Sequence, residues 1–445
     1  METVPRPEPD RQRLALFVAG LLVAGCGDGF FGVDNPGQIQ EEDLNTEQAM
    51  SAIVTGMSSD LSAELDQLAF LGARYSDEMS ATGSYFLTGR ARRGVLESDD
   101  VSTYWEGIQR ARFSAEDGIE RMRRVLGENF GERKEMGARA LFFAGTSNRV
   151  FGENFNRVVF EGGSAQPRTA AFERGVPYFE EAVNVAQTAG AQDLVHAARG
   201  GLAQVHMSLG NWDQAQSYAE QVPTDFVYHA LFSRNSSREE NEVNQETHER
   251  YEMSAIETLV GQVGGEDDPR VPYTDCRGNA GASGVCTAEN GAGGNNPHLR
   301  QEKFPSLGSD IALVKGAEMR LIEAEAAIRG GSPDLSEFTS QINEVRNHYG
   351  LSTISQPNQV GDLDFPTTQD DDALSILDRE RHLTLWLEGR RLNDLTRWDH
   401  PFIEGGALAY TSNISSQRAT ILPVAESECE NNENVECPDQ EVYTP

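Results

Sequence analysis

The sequence predicts a mostly α-helical body, on three observations. Long amphipathic stretches place apolar residues at helical spacing, few segments alternate apolar and polar residues, and one helix–turn–helix text carries small residues where paired helices approach closely. In chain order, Asn45 with Gln48 three residues later is a capping-box pattern, and Glu47 to about Leu71 reads as the first helix. Ser76 to Asp100 breaks into Gly, Ser and aromatics and reads as a loop. Helical text resumes over Ser102–Leu126 and Glu132–Phe151. Ala171–Gln187 is one amphipathic helix, and Val195–Leu209 and Trp212–Gln221 form a pair joined by Gly210-Asn211. In that pair Leu202, Ala203, Gly210, Ala215, Ala219 and Pro223 fall near the small-residue positions of a tetratricopeptide unit. An ordinary αα-hairpin is the alternative.

Thr247–Val263 is expected to be helical, and residues 264–308 form a long Gly/Asn/Pro-rich segment. Lys315–Arg329 and Leu335–Tyr349 are two further helices, separated by Gly330-Gly331. The run Asp370-Asp371-Asp372 then precedes a long helix from Ala373 to Trp398, acids being favourable at a helix N-terminus. That last helix carries apolar residues on more than one side, which places it inside the body. From His400 the tail reads as loop.

Composition narrows the function. The 71 Asp+Glu against 37 Lys+Arg give a formal charge of −34, so the chain repels phosphate backbones and anionic headgroups, and nucleic acid is excluded as a partner. Only Lys134, Lys303 and Lys315 are lysines. Adding the 43 Gly to a 38% hydrophobic share brings the chain close to globular composition, enough for a sizeable core.

Leu14 to Gly25 is an apolar run of twelve, too short to span a membrane, which takes about 20 residues. It fits the apolar stretch of a secretory signal, and Val23-Ala24-Gly25-Cys26 resembles the bacterial lipoprotein signal, in which cleavage before Cys leaves a lipid-carrying N-terminus. A secreted protein in which Cys26 merely follows the apolar run is the alternative. The expected organisation is a signal over residues 1–25, a tether over 26–44, and one body over 45–445. Within the body, tetratricopeptide-like helices cover about 132–230 and 315–398, and loop-rich segments cover 76–100, 264–308 and 400–445. With Cys26 acylated, four cysteines remain for an oxidising compartment. Cys276–Cys286 and Cys429–Cys437 are the natural bridges among three connectivities. No Cys or Cys/His spacing suits zinc, and no metal or cofactor is expected.

Three C-terminal motifs carry a family resemblance. Glu388-Gly389-Arg390-Arg391-Leu392-Asn393-Asp394-Leu395-Thr396-Arg397-Trp398 fits an E-G-x-R-x-x-D-L-x-R-W pattern, with Arg379-Glu380-Arg381 before it. Ala317-Glu318-Met319-Arg320-Leu321-Ile322-Glu323-Ala324-Glu325-Ala326 and Ile342-Asn343-Glu344-Val345-Arg346 match two more. Together with Cys26 and the paired helices, they resemble the SusD/RagB family of outer-membrane nutrient-uptake lipoproteins. The resemblance is most specific over residues 315–398. It implies a single α-helical body on a tetratricopeptide-like scaffold, held at the outer-membrane surface by a lipid anchor. It also implies capture of a nutrient, typically an oligosaccharide, and delivery to a SusC-like TonB-dependent barrel, with no chemistry of its own. The competing reading is a tetratricopeptide-type protein–protein adaptor of the cell envelope without a small ligand.

The charged set Glu388, Arg391, Asp394 and Arg397 is expected to be structural, its members pairing on a buried helix. Glu318, Glu323 and Glu325 are expected to be paired or solvated rather than a glycosidase couple, which needs two carboxyls facing one cleft. No G-x-S-x-G, P-loop, H-E-x-x-H or EF-hand text is present, so no catalytic residue is assigned. Sugars are gripped by aromatic faces beside amides and carboxylates, which ranks loop aromatics first. Tyr85 and Phe86, with Arg90 and the nearby Asp77 and Glu78, form the first candidate site. Tyr273 with Asn295 and Asn296 forms the second, and Trp105 is a helical candidate. Trp212, Trp386 and Trp398 are assigned to the core.

Overall fold

Met50, Val54, Met57, Leu61, Leu65 and Leu68 recur every three or four residues, and this stripe makes Met50–Tyr75 a helix, α1, with each of them buried. The computed structural model describes residues 43–263, 268–281, 285–329, 331–362, 372–400 and 421–436. The expected signal, Cys26 and most of the expected tether lie outside them. So do 401–420 and Cys437. Asp43–Ala49 belong to a preceding unit of two 3-10 turns, in which the Thr46 hydroxyl accepts the Ala49 N–H.

From α1 onward the described chain is one helical body. Short strand β1 (Ser80–Ala81) and helix α2 (Phe86–Arg93) lead into α3 (Ser102–Leu126) and α4 (Lys134–Asn154). Strands β2 (Arg157–Val158) and β3 (Gln166–Pro167) pair before α5 (Thr169–Ala189), α6 (Gln192–Ser208) and α7 (Trp212–Ala219). Consecutive helices from α3 to α7 pack on one another, and α7 then packs against α10 (Gly316–Arg329), which carries α11 (Leu335–His348). The tetratricopeptide-like pair is therefore part of a longer stack. Ala203, Ala215 and Ala219 are fully buried at its contacts, where a larger side chain would separate the helices.

Among the described residues the strands form four two-stranded antiparallel ladders. β4 (Val227–Ala230) pairs with β8 (Ile311–Lys315), and β6 (Tyr273–Asp275) pairs with β7 (Leu299–Gln301). β1 pairs with β5 (Met253–Ser254), setting Ala81 opposite Met253. One apolar core joins Leu321 and Ile328 of α10 to Phe338 and Ile342 of α11, to Leu377 of α12 (Ala373–Thr384) and to Trp398. Asp372 caps α12 by accepting the Ser375 N–H at 2.9 Å. Asp370 and Asp371 lie outside the described residues. Trp386 is wholly buried and Trp398 nearly so, whereas Trp212 is only partly covered.

Four expectations change. The 76–100 segment holds helix α2 and a 3-10 turn, Asp99–Val101, rather than loop alone. The expected helix over 247–263 is a short helical turn α8 (Glu242–Asn244), a π-helical turn Gln245–Glu249, strand β5 and a short helix α9 (Leu259–Val263). Tyr251 sits between them at φ 59°, a left-handed conformation that cannot continue a helix. The long helix expected over 373–398 is broken into α12 and α13 (Arg391–Arg397) by a turn with Leu387 at φ 60° and Gly389 at φ 70°. The tail is also not all loop, since Glu426–Asn431 forms α14. Among the described residues no helix is long and apolar enough to cross a membrane.

Candidate functional site

The broken helix exists because its charges are used one by one. The turn before α13 aims Glu388 between two lysines, accepting from Lys303 Nζ and Lys315 Nζ at 2.7 Å each. Arg391 grips Asp77 with two nitrogens, at 2.7 Å each, and Asp378 at 2.5 Å. Asp394 accepts from Arg381 at 2.8 Å and Arg397 at 2.9 Å, and Arg397 and the Trp398 indole both donate to Glu325 at 2.6 Å. Arg390 lies 2.9 Å from Glu318 and 3.0 Å from Glu153. Glu323 pairs with Arg320 at 2.6 Å. All of these carboxylates are buried, and each faces at least one cation.

Electrostatics follow from burial against pairing. Burial by itself would raise Asp77, but the Arg391 guanidinium outweighs it and holds the carboxyl at about 2. Glu388 is likewise held below its ordinary value, because Lys303 and Lys315 overcome desolvation. Glu78 differs. Burial pushes it up to about 8, only partly opposed by the Leu387 N–H that donates to its Oε1 at 2.8 Å. Its backbone carbonyl meanwhile accepts the Trp386 indole N–H at 3.2 Å. The set Glu388, Arg391, Asp394 and Arg397 is thus a buried frame that locks the 76–79 segment onto the turn before α13.

A few residues further on, the same segment leaves the frame and turns outward. Tyr85 is 42% exposed and Phe86 79%, the most exposed of the large apolar side chains described. Tyr85 precedes α2 in extended conformation, and Phe86 is its first residue. Arg90, one turn on, lies 5.7 Å from the Phe86 ring centre but is itself buried, its guanidinium held by Glu97 at 2.5 Å and Asp100 at 3.1 Å. Arg90 therefore supports Phe86 and is not itself a free contact.

Two other segments close around this edge. The Glu252 carboxylate, 1% exposed, accepts from the Ser84 N–H and hydroxyl at 3.1 Å and the Thr88 hydroxyl at 2.9 Å. Arg250, on the π-turn side, lies beside the Tyr85 hydroxyl together with Glu246. Burial raises Glu246 to about 7 despite its bond from Arg250. The Gly291–Asn296 loop then lies flat on Thr82-Gly83. Gly293 N–H donates to Thr82 O at 3.0 Å and Ala292 N–H to Tyr251 O at 2.9 Å. A Cβ on Gly291 would stand 2.4 Å from the Thr82 hydroxyl, and one on Gly293 would stand 2.9 Å from Gly83 O, so this glycine-rich text serves close approach.

The structure thus brings Tyr85, Phe86 and the loop of Asn295 and Asn296 into one rim, with Asn295 exposed. Tyr273 is not among the residues these contacts join to the rim. It is half-buried in β6, its hydroxyl donating to Gly261 O at 3.4 Å. Trp105 is a correction. It is 1% exposed, packed edge-on against Phe151 and Phe155, with its indole donating to Glu428 at 3.0 Å, so its ring has no free face. Sequence reasoning missed Arg250, Tyr251 and Glu252, because a helix was expected across them, and Glu246 just before that helix. Their clustering of charge and aromatic was the available signal. Cys276 and Cys286 form a disulfide that staples the base of the loop, and Cys429 is disulfide-bonded. Among the described residues no group of three or more His, Cys, Asp or Glu is placed to hold a metal.

Residues 308–442, which contain α10–α13 and the buried frame, match the model of the SusD family. Over that stretch the chain is similar to the SusD family. Solved structures agree in fold. A SusD superfamily protein from Bacteroides vulgatus superposes with TM-score 0.61 at 14% identity, covering 88% of this chain and 98% of that one. A laminarin-binding SusD-like protein gives TM-score 0.61 at 16% identity, covering 88% and 98%. Surface glycan-binding protein A from Bacteroides thetaiotaomicron, solved with laminarihexaose, gives 0.60 at 12% identity, covering 89% and 100%. No curated protein matches the sequence. The SusD fold here is a helical stack with loops gathered around the Tyr85–Phe86 edge.

Proposed function

We propose that this SusD-like chain captures an oligosaccharide at the Tyr85–Phe86 rim and delivers it to a SusC-like TonB-dependent barrel. The observation that carries the reading is the pair of exposed aromatics held on a built edge. Pyranose C–H faces stack on such rings, while hydroxyls need the amides and charges that Asn295, Asn296 and Arg250 supply beside them. Two proteins of the same fold are glycan binders by description, one for laminarin and one solved with laminarihexaose. Binding without catalysis fits the carboxylates of the family motifs, each engaged by a cation. An acyl chain on Cys26 and a tether over 26–44 would keep the acidic body at the outer-membrane surface with no basic patch.

A glycan array followed by calorimetry tests the ligand. Tyr85→Ala/Phe86→Ala is expected to weaken binding at least about tenfold, stacking being worth about 1 kcal/mol or more per ring. Unchanged affinity would remove these rings from the site. Purification from outer membrane tests delivery, and a protein that never accompanies a large β-barrel would favour the adaptor reading.

A further inference from the structure

Glu252 is an acid that neither family motif nor rim exposure accounts for. Its carboxylate is buried, it lies in the turn after the π-helical segment, and its partners come from a part of the chain 164–168 residues away. Both oxygens lie 3.1 Å from the Ser84 N–H, Oε1 also takes the Ser84 hydroxyl at 3.1 Å, and Oε2 takes the Tyr85 N–H at 3.4 Å and the Thr88 hydroxyl at 2.9 Å. The backbone repeats the link, since Glu252 O accepts the Thr82 N–H at 3.1 Å. On the far side the buried Arg74 guanidinium donates to the Thr88 hydroxyl at 3.4 Å, supplying the countercharge. Gly83 completes the fit: a Cβ there would stand 1.8 Å from Glu252 Oε2, so only glycine lets the carboxylate reach these donors.

We propose that Glu252 is the positioning residue of the oligosaccharide site, fixing the Ser84–Thr88 turn so that Tyr85 and Phe86 stand outward, without touching ligand itself. This rests on the capture reading above. The physical reason is that two exposed rings on a free turn would be ordered by the ligand at an entropic cost. One carboxylate bonded to four donors meets that cost in advance. A local cap would satisfy the start of α2, whereas Glu252, next to β5, also ties that start to the strand pair.

The test uses the full-length protein and two variants. Glu252→Gln keeps shape but loses charge and one acceptor. Gly83→Ala keeps the charge and pushes the carboxylate off its donors. Amide hydrogen exchange at Ser84 and Tyr85 is expected to speed up about tenfold or more in both variants, while α12 amides keep their protection. Protection at Ser84 and Tyr85 equal to wild type would overturn the proposal. Calorimetry with laminarihexaose gives the second arm. Glu252→Gln is expected to weaken binding about tenfold in the wild-type background and to have no further effect on Tyr85→Ala/Phe86→Ala, because it acts through those two rings. Additive losses would assign Glu252 a general structural role and sink the idea. If the wild type binds neither laminarihexaose nor any arrayed glycan, the capture reading fails, and the exchange arm still decides whether Glu252 holds the turn.

Discussion

Asp77 and Glu78 lie a few residues before Tyr85 and Phe86, yet the two pairs have opposite surroundings. The acids, which a surface would accept readily, are buried against Arg391 and the Leu387 N–H. The aromatics, which a core would accept readily, face solvent. Each pair sits where its residue type costs most, and each is held there by a group from a distant part of the chain. The acids are locked by the turn before α13, and the aromatics by Glu252. One short segment therefore joins a rigid ionic frame to a recognition edge, and the frame supplies the fixed base that the edge needs.

Arg391→Ala should separate the two most sharply. It strands Asp77 and Asp378 as buried charges, and a broken buried pair costs about 3–5 kcal/mol, so urea denaturation should show a loss of that order. Retained stability would mean that the frame is ornamental. Cys276→Ser/Cys286→Ser acts on the rim side, where opening a short stapled loop should cost about 2–3 kcal/mol. Its melting temperature should fall below that of the oxidised wild type but not below that of the reduced wild type, which also loses the Cys429 bridge, and a drop to the level of Arg391→Ala would merge the two regions.

Glu78→Gln tests the frame through pH. Between its ordinary 4.5 and its folded value of about 8, the folded chain keeps a proton that the unfolded chain releases, so this group's contribution is present below 4.5 and lost as pH rises through 8. Glutamine mimics the neutral acid and keeps an acceptor for Leu387, so the variant should be more stable than wild type near pH 8 and lose that part of the slope. Parallel pH–stability curves for the two proteins would refute the assignment. The smallest effect is expected for Gly293→Ala. Its Cβ would meet Gly83 O at 2.9 Å, so the loop should shift at a cost of about 1 kcal/mol or less, read as faster exchange at Ala292 and Gly293 with the melting point nearly unchanged.

Most of the helical stack was legible because burying one face of a helix writes a 3.6-residue period into the text. The ends of α3, α5 and α11 fall within a few residues of their expected positions. The expectation failed at Tyr251 and Leu387, residues with ordinary helix or core preferences whose positive φ is imposed by the partners around them. The site was half legible. Tyr85, Phe86 and Asn295 could be chosen as exposed loop residues, and the paired state of the motif charges could be argued from their density on an apolar helix. Trp105 could not be sorted, because one helix face looks alike whether it meets Phe151 or solvent.

What the linear chain settled by itself is local and compositional: the acidity, the helical periods, the small residues at helix contacts and the family motifs. Each follows from neighbours at fixed spacing. Which acid meets which cation, where the last helix breaks, and that Glu252 and the Gly291–Asn296 loop converge on Thr82–Thr88 depend on contacts between residues far apart in sequence. Hydrogen bonds and ion pairs act over a few ångströms, so only the folded path of the backbone selects the partners that come within that range.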